Sequence, residues 1–193
     1  MEEPILKNLF EKNLPLHQPL DDELLKAIEQ GSILKRNFRY LFSVEDMIRI
    51  SYRLENFVMS IPNHCDMHAS FQQWSRFKRQ KLRYEDVVKA AKNLWIYGAR
   101  DIEMPDFPNA KFIDTTATQL TNYWFLILYG DGVSGTLLAV DNSPLGGLNS
   151  ARSYSGFYTF DPMIATQLTS ILHQYYPADI PNPLTGAQHS KAE

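Results

Sequence analysis

The sequence predicts an α+β protein: a mixed sheet of about four or five strands with helices packed on it, an α/β sandwich built as a single domain. Three observations carry this expectation. Short apolar runs alternate with helical patterns between residues 32 and 99, the rhythm of crossover units in a partly parallel sheet. Two further apolar runs meet at Asp131-Gly132, a strong hairpin signal. The apolar share of 44% and charged share of 21% match ordinary globular chains and argue against disordered or disulfide-framework classes.

Residues 1–31 read as an N-terminal helical extension. Ile5, Leu6, Leu9 and Phe10 have helical spacing, as do Leu24, Leu25 and Ile28; "LPLHQPL" splits the two short helices and Gly31 ends the second. The domain itself is placed at 32–176, with "SILKRNF" (32–38) as its first strand. Ser43 and Asp46 then form an acidic capping box, followed by Met47, Ile50, Leu54, Phe57 and Val58 on one helical face, with Pro62 and Asn63 closing the helix. "MHASFQ" (67–72) is a strand, a helix runs on to Lys92, and "LWIYGA" (94–99) is the next apolar run.

Beyond the proline-rich "EMPDFPN" (103–109) and "KFIDT" (111–115) lies the hairpin, "NYWFLILYGDGVSGTLLAVD" (122–141). Its first arm is apolar at nearly every position, as a strand buried on both faces between helix layers would be. "NSPLGGLNSAR" (142–152) reads as a flexible loop and "YSGFYTFD" (154–161) as a short extended piece. A last helix starts with Asp161 as cap and Pro162 in its first turn. Residues 177–193, polar and proline-rich, read as a flexible C-terminal tail.

The formal net charge is −3, so Arg76, Lys78, Arg79, Lys81 and Arg83 in "FQQWSRFKRQKLRYE" (71–85) form a basic island in an acidic chain. On a helix of about 100° per residue, Trp74, Phe77, Tyr84, Val88 and Ala91 fall on one stripe with Val87 at its edge, while the charges disperse. Lys81 can pair with Glu85 and Arg83 with Asp86, leaving a solvated amphipathic helix as the better reading than a nucleic-acid grip. A single cysteine, Cys65, forbids an intrachain disulfide and suits a cytoplasmic location; no signal peptide or membrane-length apolar run is present.

"HCDMH" offers His64, Cys65, Asp66 and His68 as transition-metal donors, but along a strand the two histidines would stand about 13 Å apart. A plain loop is the preferred reading and no metal is assigned. No nucleophile elbow, P-loop or dinucleotide fingerprint occurs. Acid–base chemistry could draw on Asp101, Glu103, Asp106 or Asp141 near strand ends, a secondary reading as a small enzyme.

Phe71-Gln72, Arg76-Phe77, Arg83-Tyr84, the Trp124-led strand and Phe160-Asp161, in this order over roughly residues 33–175, resemble the DICT domain, a sensory module of diguanylate cyclases and two-component systems. The resemblance implies an α+β sensory domain that answers light or another cytoplasmic signal, without specifying a ligand or cofactor. An acidic residue often precedes the tryptophan in that family; here the position is Tyr123.

No cyclase, phosphodiesterase, kinase or DNA-binding segment is recognisable in the remainder, so the expectation is a regulatory module without catalytic activity of its own, acting through a signalling protein partner. A small-molecule ligand and a homodimer are compatible with it; nucleic acid and membrane are not expected partners. A protein-binding adaptor without a ligand pocket is the alternative. Gln72, Arg76, Arg83 and Trp124 are the expected ligand or signalling surface, being polar groups beside rings at a strand-to-helix junction.

Overall fold

In a computed structural model of the chain, described over residues 17–19, 39–103, 107–130, 132–143 and 152–184, the strands form one mixed sheet covered by helices on both faces. In chain order the strands are β1 (His17–Pro19), β2 (Arg39–Ser43), β3 (Asp66–Gln73), β4 (Asn93–Ala99), β5 (Lys111–Asp114), β6 (Tyr123–Gly130), β7 (Val133–Asp141) and β8 (Ser153–Thr159). The helices are α1 (Val44–Ser60), α2 (Trp74–Ala90) and α3 (Pro162–Tyr175), with one 3-10 turn at Gln119–Asn122.

The expected α+β class holds, but the strand count does not: eight strands pair in the order β1-β2-β8-β7-β6-β3-β4-β5, against the four or five expected. β1 and β5 span only three and four residues, too short for a periodic signal of their own. β1 lies inside the segment read as a linker between two helices; those helices, and the strand expected at 32–38, fall outside the described residues.

The strand–helix–strand rhythm appears in two forms. β3, α2 and β4 make an adjacent parallel crossover. β2 and β3 are joined by α1 and also run parallel, yet three antiparallel strands, β8, β7 and β6, stand between them. The carboxyl ends of β2, β3, β4 and β7 therefore emerge at one rim, where α1 and α2 begin.

Local chemistry sets the helix starts. Ser43 Oγ accepts from Asp46 N at 3.1 Å and Asp46 Oδ2 accepts from Ser43 N at 2.9 Å, the reciprocal cap read from the sequence. Asp161 Oδ1 accepts from Met163 N at 2.9 Å ahead of α3. Along α1, Met47, Ile50, Leu54 and Val58 are buried, but Phe57, expected on the same face, is 41% exposed; Ser51 and Glu55 hold the inward positions instead.

Alternation along β6 divides the core. Leu126 and Leu128 join α1 and α2 with Phe77, Tyr84 and Val87; Phe125 and Ile127 face Ile164, Leu168 and Leu172 of α3. β6 is thus buried on both faces, as its uninterrupted apolar run predicts. Gly156 on β8 is required by close approach: a Cβ there would overlap Leu138 O and Ala139 Cβ of β7.

The first part of the segment expected to be a flexible tail is packed. Ile180 is buried in the α3 layer, and Asp179 O accepts from Trp95 Nε1 at 3.0 Å while Pro183 O accepts from Tyr129 OH at 3.1 Å. Burial of one isoleucine and pairing of backbone carbonyls outweigh the polar composition around them. Residues 185–193 lie outside the described residues.

Candidate functional site

The site begins where β3 gives way to α2. The register between β3 and β4 shifts between Ser70 and Gln73, and within that bulge Gln72 takes φ +63°, a left-handed conformation that costs an L-residue about 1–2 kcal/mol. The buried Gln72 side chain is held in turn by three groups. Its Oε1 accepts from an Arg76 guanidinium nitrogen, from Arg152 Nη2 at 3.1 Å and from Tyr154 OH at 3.5 Å. Arg152 also donates to the Asp141 carboxylate at the end of β7, forming an ion pair.

Arg76, Arg152 and Tyr154 of this group line a cavity of about 160 Å³ between α1, α2 and the sheet. Helical spacing brings Val44, Ile48, Ser51, Tyr52 and Glu55 from α1 onto one wall, and Arg76, Arg79, Gln80 and Tyr84 from α2 onto the other. Ser70, Phe71, Trp124, Leu126 and Tyr154 form the floor. Trp124 Nε1 donates to Ser51 Oγ at 3.2 Å, and its ring meets Tyr154 edge-on with centroids 5.5 Å apart. Trp124, Ala139 and Gly156 pair across β6, β7 and β8, so the tryptophan's row of the floor continues with almost no side chain.

Arg83 sits behind the wall. It donates to the Glu55 carboxylate, to Tyr52 O at 3.1 Å and to Asn56 Oδ1 at 2.8 Å, while its guanidinium carbon lies 4.1 Å from the Tyr52 ring centroid. Tyr84 OH donates to the other Glu55 oxygen at 3.0 Å. The local pairing expected with Asp86 is replaced by this one across two helices; Asp86 pairs with Lys89 instead. A carboxylate at 3% exposure needs charge and donors more than an exposed one does. Burial raises the Glu55 pKa, with Arg83 and Tyr84 pulling it back down. At the cavity, burial and then the charge of Arg152 lower the Arg76 pKa.

Of the four expected residues, Arg76 and Trp124 line this cavity, Gln72 lies behind the lining as the acceptor for Arg76, and Arg83 braces the wall through Glu55. Arg152, Tyr154, Ser51 and Glu55 were not among them. Glu55 and Ser51 had a legible signal, two polar residues at inward positions of an amphipathic helix; Arg152 follows a glycine-rich loop and had none.

The other sequence candidates are placed elsewhere. His64 is exposed with Nδ1 2.8 Å from Pro62 O, whereas His68 is buried, stacked on Trp95 at 4.5 Å and paired through Nδ1 with Tyr97 OH at 2.7 Å. Burial holds the His68 pKa down to about 3 and pushes the Cys65 thiol up to about 11, with the Asp66 charge adding to the latter. Asp101 Oδ1 accepts from Ser75 N at 3.0 Å and serves the start of α2, while Asp141 lies three strands away, roughly 14 Å by strand spacing. Glu103 is exposed and Asp106 lies outside the described residues. A wider cleft of about 600 Å³ near Lys92, Trp95, Lys111 and Asp179 is open, and the Asp179 carbonyl there already accepts from Trp95 and Lys111.

The model of the DICT family, a sensory domain of diguanylate cyclases and two-component systems, matches residues 22–142. The chain belongs to the DICT family. The matched stretch of this DICT domain runs from before β2 to the end of β7, so it includes Gln72, Arg76, Arg83 and Trp124 but stops short of Arg152, Tyr154 and the "SGFYTFDP" segment. No curated protein and no solved structure matches the chain. Among the described residues no helix is long and apolar enough to cross a membrane.

Proposed function

We propose that this DICT protein senses a small molecule in the cavity between α1, α2 and the sheet and passes the signal to a protein partner, without catalysis of its own. The observation that carries the reading is the convergence of Arg76 and Trp124, with Gln72 bonded to Arg76 behind the lining, on one partly open space of about 160 Å³ where rings meet a few fixed polar groups. A cavity of this size accommodates one aromatic ring and a small substituent, since about 150 Å³ suffices to hold benzene. The bulge that places Gln72 in a left-handed conformation supports it further, because strained backbone collects at ligand clamps.

Occupancy would wedge the two helices against the sheet, and their outward faces would carry the change to a partner. A homodimer is a compatible assembly. The test is native mass spectrometry of the purified protein, with a visible absorption spectrum taken alongside to detect a chromophore and so a light response. A co-purifying small molecule lost in Trp124→Ala is the expected result; retention of that molecule in Trp124→Ala together with Gln72→Ala would overturn the assignment of the site.

A further inference from the structure

The cavity wall is not electrically neutral. Gln72 Oε1 receives hydrogen bonds from both Arg76 and Arg152, so two guanidiniums are gathered on one uncharged oxygen. Among the described residues only Asp141 answers them, and it is ion-paired with Arg152. The remaining carboxylate at the cavity, Glu55, is committed to Arg83 and Tyr84, which leaves that pair balanced. Arg76 is half-buried and faces the space with an amide oxygen and Tyr154 as its partners. Arg79 stands exposed at the mouth and adds positive charge where an anion would enter.

Resting on the proposed small-molecule site, we infer that its ligand is an aromatic monocarboxylate, its carboxylate held by Arg76 and Arg152 and its ring set between Tyr52, Phe71 and Trp124. Within the cavity Arg76 and Arg152 against Asp141 leave a single positive charge, with Arg79 solvated at the mouth; a monoanion neutralises that charge and a phosphate dianion overshoots it. The planar fork of arginine matches a carboxylate in two parallel hydrogen bonds. The apolar side chains around the floor offer nothing to a carboxylate without an apolar part, such as formate, beyond the charge.

The experiment titrates the intact chain with benzoate, benzamide, benzylamine and phenyl phosphate, following Trp124 and its neighbours by chemical-shift change or isothermal calorimetry. Benzoate is expected to bind at least tenfold more tightly than benzamide, with benzylamine weaker still. Arg76→Gln should remove most of that advantage, and Arg79→Gln should weaken benzoate in a salt-dependent way. Equal binding of benzoate and benzamide would overturn the charge assignment while leaving the small-molecule site intact. Phenyl phosphate binding more tightly than benzoate would overturn the carboxylate in favour of a phosphate. Failure of all four probes to shift any cavity residue would sink the site reading itself. If Arg76→Gln does not fold, the isostere series and Arg79→Gln on the folded chain still decide.

Discussion

Replacing Arg83 by methionine strips the cross-helix ion pair of its cation while keeping the length of the side chain. The Glu55 carboxylate is 4% exposed and the Arg83 side chain 26%, so the anion is the member left stranded. Breaking a buried pair by removing one partner costs about 3–5 kcal/mol; the partial solvent contact of Arg83 puts the expected loss near the lower end, about 3 kcal/mol. For a chain of this length that corresponds to a fall in Tm of roughly 6–12 °C.

The loss must depend on pH in a definite direction. The folded pKa of Glu55 is already raised by burial above the ordinary 4.5, and without Arg83 it rises further. A raised folded pKa favours folding most below the unfolded value and withdraws that stability as pH climbs through the folded one. The Arg83→Met deficit should therefore be small near pH 4.5 and full by neutral pH, and Glu55→Gln, which keeps an acceptor for Tyr84, should flatten the profile. Urea titrations of wild type, both single variants and the double variant at pH 4.5 and 7.5 measure this. A deficit under 0.5 kcal/mol at both pH values, or two single costs that simply add in the double variant, would refute the buried-pair argument and return Arg83 to the class of surface charges.

His68 should stay neutral well below pH 6.5: its pKa is held near 3 by burial, so the unfolded chain takes up a proton that the folded one refuses. Stability complete above pH 6.5 is then lost on acidification, by about 2 kcal/mol between pH 7 and pH 5, and an imidazole signal titrating near its ordinary value would contradict this. Cys65, buried with its thiol pushed up to about 11, should react with a thiol reagent at pH 8 only as fast as the chain opens; labelling at the rate of a free thiol would count against the fold around β3. Gly156→Ala should cost about 2 kcal/mol or more by forcing β7 and β8 apart, read as a shift in the denaturation midpoint, and a neutral outcome would mean the two strands are less tightly apposed than described.

What was legible in the sequence was local. The Ser43–Asp46 cap, the Asp161 cap, the stripe through Trp74, Phe77 and Tyr84 and the two-faced burial of β6 each depend on residues close together in the chain. The order of the strands depends on pairings between residues as far apart as Tyr40 and Gly156, which no periodicity records. Arg83 shows the same limit. Asp86, three residues away, was the available local partner, but the buried Glu55, 28 residues away, had the greater need of a cation. Gln72, Arg76 and Trp124 could be picked out as a group through the family resemblance; Arg152 and Tyr154, which complete the cavity, come from a stretch where only an extended piece after a loop was readable.

The three strands at the middle of the sheet are the last of the sheet to be synthesised. When the chain has reached residue 122, β1 can stand beside β2 and β4 beside β3, but the facing sides of β2 and β3 have no neighbours, since β6, β7 and β8 have yet to appear. A nascent chain at that stage presents two bare strand edges and two helices that still lack β6 and β7 beneath them, a condition that favours chaperone binding. The cavity cannot hold anything until residue 154 is in place, because Arg152 and Tyr154 supply one side of it. Any molecule that binds there would also act as a chemical chaperone, trapping the inserted β8 once its concentration exceeds its dissociation constant.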